Sequence, residues 1–222
     1  MAVTLRAKWI DNCELSTNCS TIADATYYGN AKIITENGQK VLSLDGTTGT
    51  YVKLPSISST VDFESGFTIE TKQKWTSFDG YYARIFDASP GNGAVGNVGL
   101  AHVNTTSTLE TMLGNSGTEQ LGVRAQVENY FVLNMVQTTK VTLKKNSSSN
   151  YTLYTYKNDT LVSTYTYNFC PVVNSNKLYV QIGRSAWYGS TEHDGFFQGT
   201  IYYVKLTLAN GTKVVDVNFN EA

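Results

Sequence analysis

The chain has 222 residues, with 17 Lys plus Arg against 18 Asp plus Glu and a formal net charge of −1. It shows no basic patch, which argues against a nucleic-acid partner. It has no apolar run near the ~18 residues of a membrane-spanning helix, so no membrane insertion is expected. Tyr is abundant at 15, while Pro and Met number 3 each. Thr, Val and Tyr dominate many stretches, a composition that favours strands.

Residues 1–30 read as an irregular leader with one strand, Val3 to Ile10. This start turns polar within ten residues and lacks the long apolar core of a secretory signal. The expectation is a chain without a signal peptide, located on a virion or an extracellular surface. Three cysteines are present. Cys13 and Cys19 are close enough in sequence to close a small disulfide, with Cys170 left over. The odd count favours three free thiols instead. The sequons at Asn18, Asn104, Asn146, Asn150, Asn158 and Asn210 are read as the chance product of an Asn-, Ser- and Thr-rich chain.

Further strands are predicted over Lys32 to Thr35, Val41 to Asp45 and Tyr51 to Leu54, with Gly46 and Gly49 marking a turn. Phe67 to Trp75 alternates, with Phe67, Ile69 and Trp75 on one face and Glu70, Lys72 and Lys74 on the other. That is the pattern of a strand with one buried face. Strands follow at Tyr82 to Asp87, Val98 to Val103, Leu121 to Val127, Phe131 to Met135 and Val141 to Lys145. Residues 89–97 form a Gly-rich loop. Tyr151 to Tyr156 and Leu161 to Tyr167 flank a short Asn-Asp turn, a hairpin signature. Leu178 to Gly183, Phe196 to Leu208 and Val214 to Phe219 complete the set. No stretch carries sustained helical periodicity. Short strands at near-regular spacing predict a single all-β domain, an antiparallel sandwich or barrel.

Two distant segments sharpen this. One is Leu42-Ser-Leu-Asp-Gly-Thr-Thr-Gly-Thr-Tyr-Val-Lys-Leu-Pro55. The other is Ile182-Gly-Arg-Ser with Gly195-Phe-Phe-Gln-Gly-Thr-Ile-Tyr-Tyr-Val-Lys-Leu206. Together they resemble the opening and closing strands of a laminin-G-like domain of the concanavalin A-like lectin/glucanase superfamily. The resemblance covers roughly residues 30–219 in strand order and implies a jelly-roll β-sandwich. It leaves the ligand open, because one fold hosts many functions.

Enzymes of this superfamily carry acids in the pattern Glu-x-Asp-x-(x)-Glu along one strand. Retaining hydrolysis needs two carboxyl groups about 5 Å apart. No such run occurs. Asp62 and Glu64 share even spacing but precede Gly66 in a turn, and Glu192 and Asp194 lie in a loop. The expectation is therefore a protein that is not an enzyme. Gly91-Asn-Gly-Ala-Val-Gly96 matches a dinucleotide-binding pattern only superficially, since it opens no helix.

Glycan binding in this fold relies on loop aromatics and nearby polar groups. The loop from Arg184 to Gly195 gathers Trp187, Tyr188, Glu192, His193 and Asp194, a flat ring with hydrogen-bonding partners. The segment Phe78-Asp-Gly-Tyr-Tyr82 is the second candidate, with Tyr81 and Tyr82 as ligand contacts. Each is weighed against a purely structural role. Trp9 and Trp75 are read as core residues. Related domains often hold calcium, for which Asp87, Asn92, Asn97, Asp194 and Asp216 are candidates beside an ordinary role in turns. The leading expectation is a lectin-like adhesion module that binds surface glycans weakly and works by multivalent or oligomeric display. The second is a structural decoration protein of a virion that binds protein. A glycan hydrolase is the most distant.

Overall fold

The computed structural model describes residues 24–58, 61–89, 97–114, 124–168, 177–185 and 195–221. Fifteen strands form two sheets. They are β1 (Thr26–Tyr28), β2 (Lys32–Glu36), β3 (Gln39–Asp45), β4 (Tyr51–Ser58), β5 (Gly66–Trp75), β6 (Arg84–Ser89), β7 (Val98–His102) and β8 (Leu109–Leu113), followed by β9 (Arg124–Val127), β10 (Gln137–Ser147), β11 (Asn150–Lys157), β12 (Thr160–Tyr167), β13 (Lys177–Ile182), β14 (Gln198–Leu208) and β15 (Lys213–Asn218). A front sheet runs β1-β4-β13-β6-β7-β8-β9. A back sheet runs β12-β11-β10-β5-β14-β3-β2, with β15 also paired to β14. Every pairing is antiparallel. The described residues contain no α-helix. This is the all-β antiparallel sandwich that the strand pattern predicts, in the jelly-roll form that the laminin-G-like resemblance implies.

The apolar residues of the inner faces meet between the sheets. Leu42, Val52, Phe86, Leu100, Ile201 and Val204 are fully buried there. Strand β5 alternates as its sequence demands, but its inner face also carries Thr71 and Gln73. These polar groups are satisfied in a chain: Thr71 Oγ1 donates to Gln73 Oε1 at 2.8 Å, and Gln73 Nε2 donates to Thr139 Oγ1 at 2.7 Å. A satisfied network avoids the penalty of burying unpaired polar atoms. In the β11–β12 hairpin both central residues have positive φ, Asn158 at 48° and Asp159 at 64°. This turn geometry matches the twist of the flanking strands.

Three sequence expectations change. Phe131 to Met135 is a connection, not a strand. Tyr130 and Phe131 are buried against the core, and Tyr130 Oη donates to the Tyr156 carbonyl at 2.6 Å. Asn129 and Asn134 bend the chain with positive φ, and Asn134 N–H donates to the Trp75 carbonyl at 2.7 Å. Tyr130 and Phe131 thus plug the sandwich, while Val132, Leu133 and Met135 stay exposed. Strand β6 starts at Arg84 rather than Tyr82, because Tyr82 sits in a turn with φ of 50°. Phe219 leaves the last strand and enters a 3₁₀ turn, Phe219–Glu221. Strands β1 and β8 are additions that the pattern did not reveal, while Val3 to Ile10 lies outside the described residues.

Candidate functional site

One end of the front sheet brings the 78–82 turn against Gly195, the last residue of the second loop singled out in the sequence. The turn before β6 carries Phe78, which packs against Trp75 with ring centroids 5.7 Å apart. Gly80 then meets Gly195 so closely that a Cβ on Gly195 would lie 2.4 Å from Gly80 Cα. The Gly195 N–H donates to the Tyr81 carbonyl. Only a pair of glycines permits this backbone approach, and it docks the 78–82 turn onto the end of the 184–195 loop.

Tyr81 and Tyr82 make an edge-to-face pair, with centroids 4.8 Å apart and planes at 85°. Tyr81 is 54 % exposed. Tyr82 is unusual: the other described non-glycine residues with positive φ are all Asn or Asp. A bulky residue there is strained, and such strain persists where its surroundings hold it. The holder is Arg84, whose Nη1 donates to the Tyr82 carbonyl at 2.9 Å while its guanidinium lies 5.9 Å from the Tyr82 ring centroid.

A second group continues the surface. Tyr28 on β1 stacks on Tyr51 on β4, with centroids 4.5 Å apart and planes within 5°. The Arg184 guanidinium lies over Tyr51 at 5.0 Å and is 5.7 Å from the Phe196 ring. Phe196 is buried and follows Gly195, whose N–H donates to the Tyr81 carbonyl, so the two groups are joined through the backbone of this segment. Stacked rings and guanidinium planes offer both apolar faces and fixed donors.

Behind this end, the outward row of the front sheet is polar yet buried. Strand register places Arg84 beside Ala101, Ala101 beside Glu110, and Glu110 beside Gln126. Gln126 Nε2 donates to Glu110 Oε2 at 2.7 Å, and Ser185 Oγ donates to Asp87 Oδ2 at 3.2 Å. Arg84, Asp87, Glu110 and Ser185 are all at most 5 % exposed. The charge of Arg84 reaches His102, which faces inward against Trp75 at 5.0 Å. Burial first, and the Arg84 charge second, push the His102 pKa down to about 4, so the imidazole is neutral at pH 7.

The sequence candidates divide accordingly. Tyr81 and Tyr82 lie in the site. Trp187, Tyr188, Glu192, His193 and Asp194 lie outside the described residues, as does Asn92. Asp87 is buried on β6, and Asn97, also buried, leads into β7. Asp216 lies on the back sheet, where Lys213 Nζ donates to it at 2.5 Å. Among the described residues no three His, Cys, Asp or Glu gather as a metal cluster. Asp62 and Glu64 are exposed in the turn before β5, and Asp62 accepts Ser65 Oγ at 2.5 Å. Arg84, Arg184, Tyr28 and Tyr51 are site residues that sequence reasoning missed. Arg184 opens the candidate loop and Arg84 follows Tyr82 by two residues, but nothing local in either segment marks its guanidinium as part of the site.

Among the described residues no helix is long and apolar enough to cross a membrane. No family model matches the chain, and no curated protein matches it. Solved structures do. The chain is similar to tailspike protein 2 of an Escherichia coli O157:H7 bacteriophage, with a TM-score of 0.59 and 11 % identity over 95 % of this chain and 31 % of the tailspike. It therefore spans about a third of that protein's length. Domains LG4-5 of the mouse laminin alpha1 chain align at a TM-score of 0.52 and 13 % identity, covering 82 % of this chain and 42 % of that one. The CBM40 of a Ruminococcus gnavus IT-sialidase, solved with α2,3-sialyllactose, aligns at 0.53 and 14 %, covering 81 % and 90 %. At these identities the likeness establishes the fold, a laminin-G-like sandwich of the concanavalin A-like type.

Proposed function

We propose that the chain is a non-enzymatic, lectin-like module that binds surface glycans weakly and works by multivalent display on a virion or cell surface. The observation that carries this reading is the exposed Tyr81 ring held edge-to-face on the strained, Arg84-anchored Tyr82. A rigid aromatic pair beside fixed donors can take the apolar face of a sugar and bond its hydroxyls. The sialyllactose-bound fold neighbour supports a sugar ligand for such a sandwich. Each ring contributes modestly, so avidity from many copies supplies the affinity.

The test is a glycan array probed with the chain displayed on multivalent particles, with calcium and with chelator. Binding to one or more glycans, lost in Tyr81→Ala and Arg184→Ala, is expected. Loss with chelator alone would add calcium to the site. Binding retained in both variants would move the contact to Trp187 and Tyr188. Absence of catalysis is checked separately: no reducing ends are released from β-glucans, galactans or sialosides. Turnover abolished by Glu64→Gln, Glu110→Gln or Glu192→Gln would overturn it. The tailspike likeness over 95 % of this chain favours a second reading, a virion structural module that binds protein. Tight docking to a capsid or tail protein, with an empty array, would select it.

A further inference from the structure

We infer that the outward face of the back sheet carries a second binding site, for an anionic polysaccharide bearing carboxylate or sulfate groups. It is independent of the tyrosine turn, on the opposite side of the sandwich. The first observation is charge. Strands β5, β10 and β14 direct Lys72, Lys74, Lys140, Lys144 and Lys205 outward; Glu70 lies between Lys140 and Lys205 in the register, and Asp216 lies beside Lys205. The whole chain has a net charge of −1, so this excess of cations is local. Glu70 accepts the Tyr203 hydroxyl at 2.7 Å, and Lys74 is ion-paired with Glu36. Among the described residues, Lys72, Lys140, Lys144 and Lys205 form no ion pair.

The second observation is shape. A depression of about 450 Å³ lies across β5, β10 and β11. Thr68 and Thr142 form its floor, their hydroxyls 3.1 Å apart, and Lys144, Tyr154 and Tyr156 rise around them. Tyr154 and Tyr156 occupy the same strand face, about 7 Å apart by strand rise. Lys140 Nζ stands 5.6 Å from the Tyr156 ring centroid, which brings an ammonium to the rim. Half-buried rings, paired hydroxyls and ammonium groups in one shallow trough match a sugar ring, its hydroxyls and its acidic substituent.

The test measures binding of the full chain to polygalacturonate, heparin and neutral dextran by isothermal calorimetry at low and physiological salt. Binding to one or both polyanions, none to dextran, and weakening with salt are expected. The two polyanions distinguish carboxylate from sulfate as the recognised group. Lys140→Ser with Lys144→Ser should weaken binding about fivefold, the scale of two exposed ion pairs. Tyr154→Ala with Tyr156→Ala leaves the charge unchanged and should weaken it comparably. Tyr154→Ser alone is the milder variant if that pair unfolds. Tyr81→Ala should leave it intact, which separates this site from the one proposed above. The inference is overturned if dextran binds equally, if a DNA oligonucleotide binds as tightly as either polysaccharide, or if the lysine variants act while both tyrosine variants do not. That last result would mean diffuse charge without a site.

Discussion

The outer faces of the two sheets differ in kind. On the back sheet, β5 and β10 alternate between buried and half-buried residues, so one face meets the core and the other meets solvent. On the front sheet, β6, β7 and β8 are buried at every residue. Their outward side chains include Arg84, Asp87 and Glu110, charged groups enclosed on what is formally the outside of the sandwich. Burying charge is expensive unless each group is held by partners. The front face is therefore a built polar layer with fixed geometry, and the back face is a solvated one whose side chains are free to meet a ligand.

A substitution in each face tests this contrast most sharply. Ala101 points outward on β7, between Arg84 and Glu110, and is fully buried. Ala101→Lys should destabilise by about 4 kcal/mol, from overpacking and an added buried cation. Thr164→Lys on the exposed outer face of β12 should change stability by less than about 0.5 kcal/mol. Urea unfolding of both variants measures the difference. Equal, small effects would show that the front face is open to solvent after all.

The same contrast explains what was legible in the sequence. Strand β5, with one wet face, writes its period into the chain and is found by pattern alone, while the β11–β12 hairpin is found by its Asn-Asp turn. Strand β8, Leu-Glu-Thr-Met-Leu, is buried on both faces, so its polar residues mark no solvent side and it is missed. Residues Phe131 to Met135 fail in the other direction: the apolar run reads as a strand, yet only Phe131 turns inward and Val132, Leu133 and Met135 stay exposed. In the site, Tyr81 and Tyr82 were visible as an aromatic turn. The contribution of Arg84 depends on the φ of Tyr82, and that of Arg184 on a ring supplied by distant β4. Such convergence is tertiary and leaves no local pattern.

The inner edge of the polar layer predicts a pH effect. His102 is fully buried, and its pKa falls from 6.5 in the unfolded chain to about 4 in the fold. Between those values the unfolded chain binds a proton that the folded chain does not. Stability therefore falls as pH drops from 6.5 to 4, by about 3 kcal/mol. Trp75 stands 5.0 Å away, a natural fluorescence reporter for unfolding. In His102→Phe this slope should vanish, leaving only the carboxylates, which act near and below pH 4.5. Among these is Asp45: burial raises its pKa, but hydrogen bonds from Thr47 and Asn30 outweigh that and hold it far below the usual carboxylate range. A slope that survives in His102→Phe would assign the effect elsewhere.

The glycine contact links the front face to the candidate site. Gly195→Ala places a methyl group 2.4 Å from Gly80 Cα. The two loops must separate, at a cost of about 2 kcal/mol. Glycan binding through Tyr81 should fall more than stability does, because the ring loses its place before the core is disturbed. Unchanged melting and binding together would show that the junction yields without consequence.

The last effect belongs to the ion pair at the edge of the back face. Lys74 on β5 and Glu36 on edge strand β2 form an ion pair with side chains 21 % and 16 % exposed. Thr200 Oγ1 also donates to Glu36, at 2.9 Å. Desolvation raises the Glu36 pKa, but the bonds from Lys74 and Thr200 with the Lys74 charge outweigh it and leave the pKa lowered. A depressed carboxylate stabilises the fold above its unfolded pKa, and that contribution is lost as pH falls through the folded value. Glu36→Gln keeps the shape and removes the charge. It should cost about 1 kcal/mol at pH 7 and low salt, above the usual exposed pair because both partners are mostly covered. The loss should shrink below pH 4, where the native carboxyl is protonated as well. It should shrink less in 1 M salt than for Lys213 and Asp216, whose lysine is 49 % exposed, because covered pairs are screened less than wet ones. If both pairs respond to salt alike, the β2 edge is as open as the β15 surface, and the back face is uniformly solvated out to its edge.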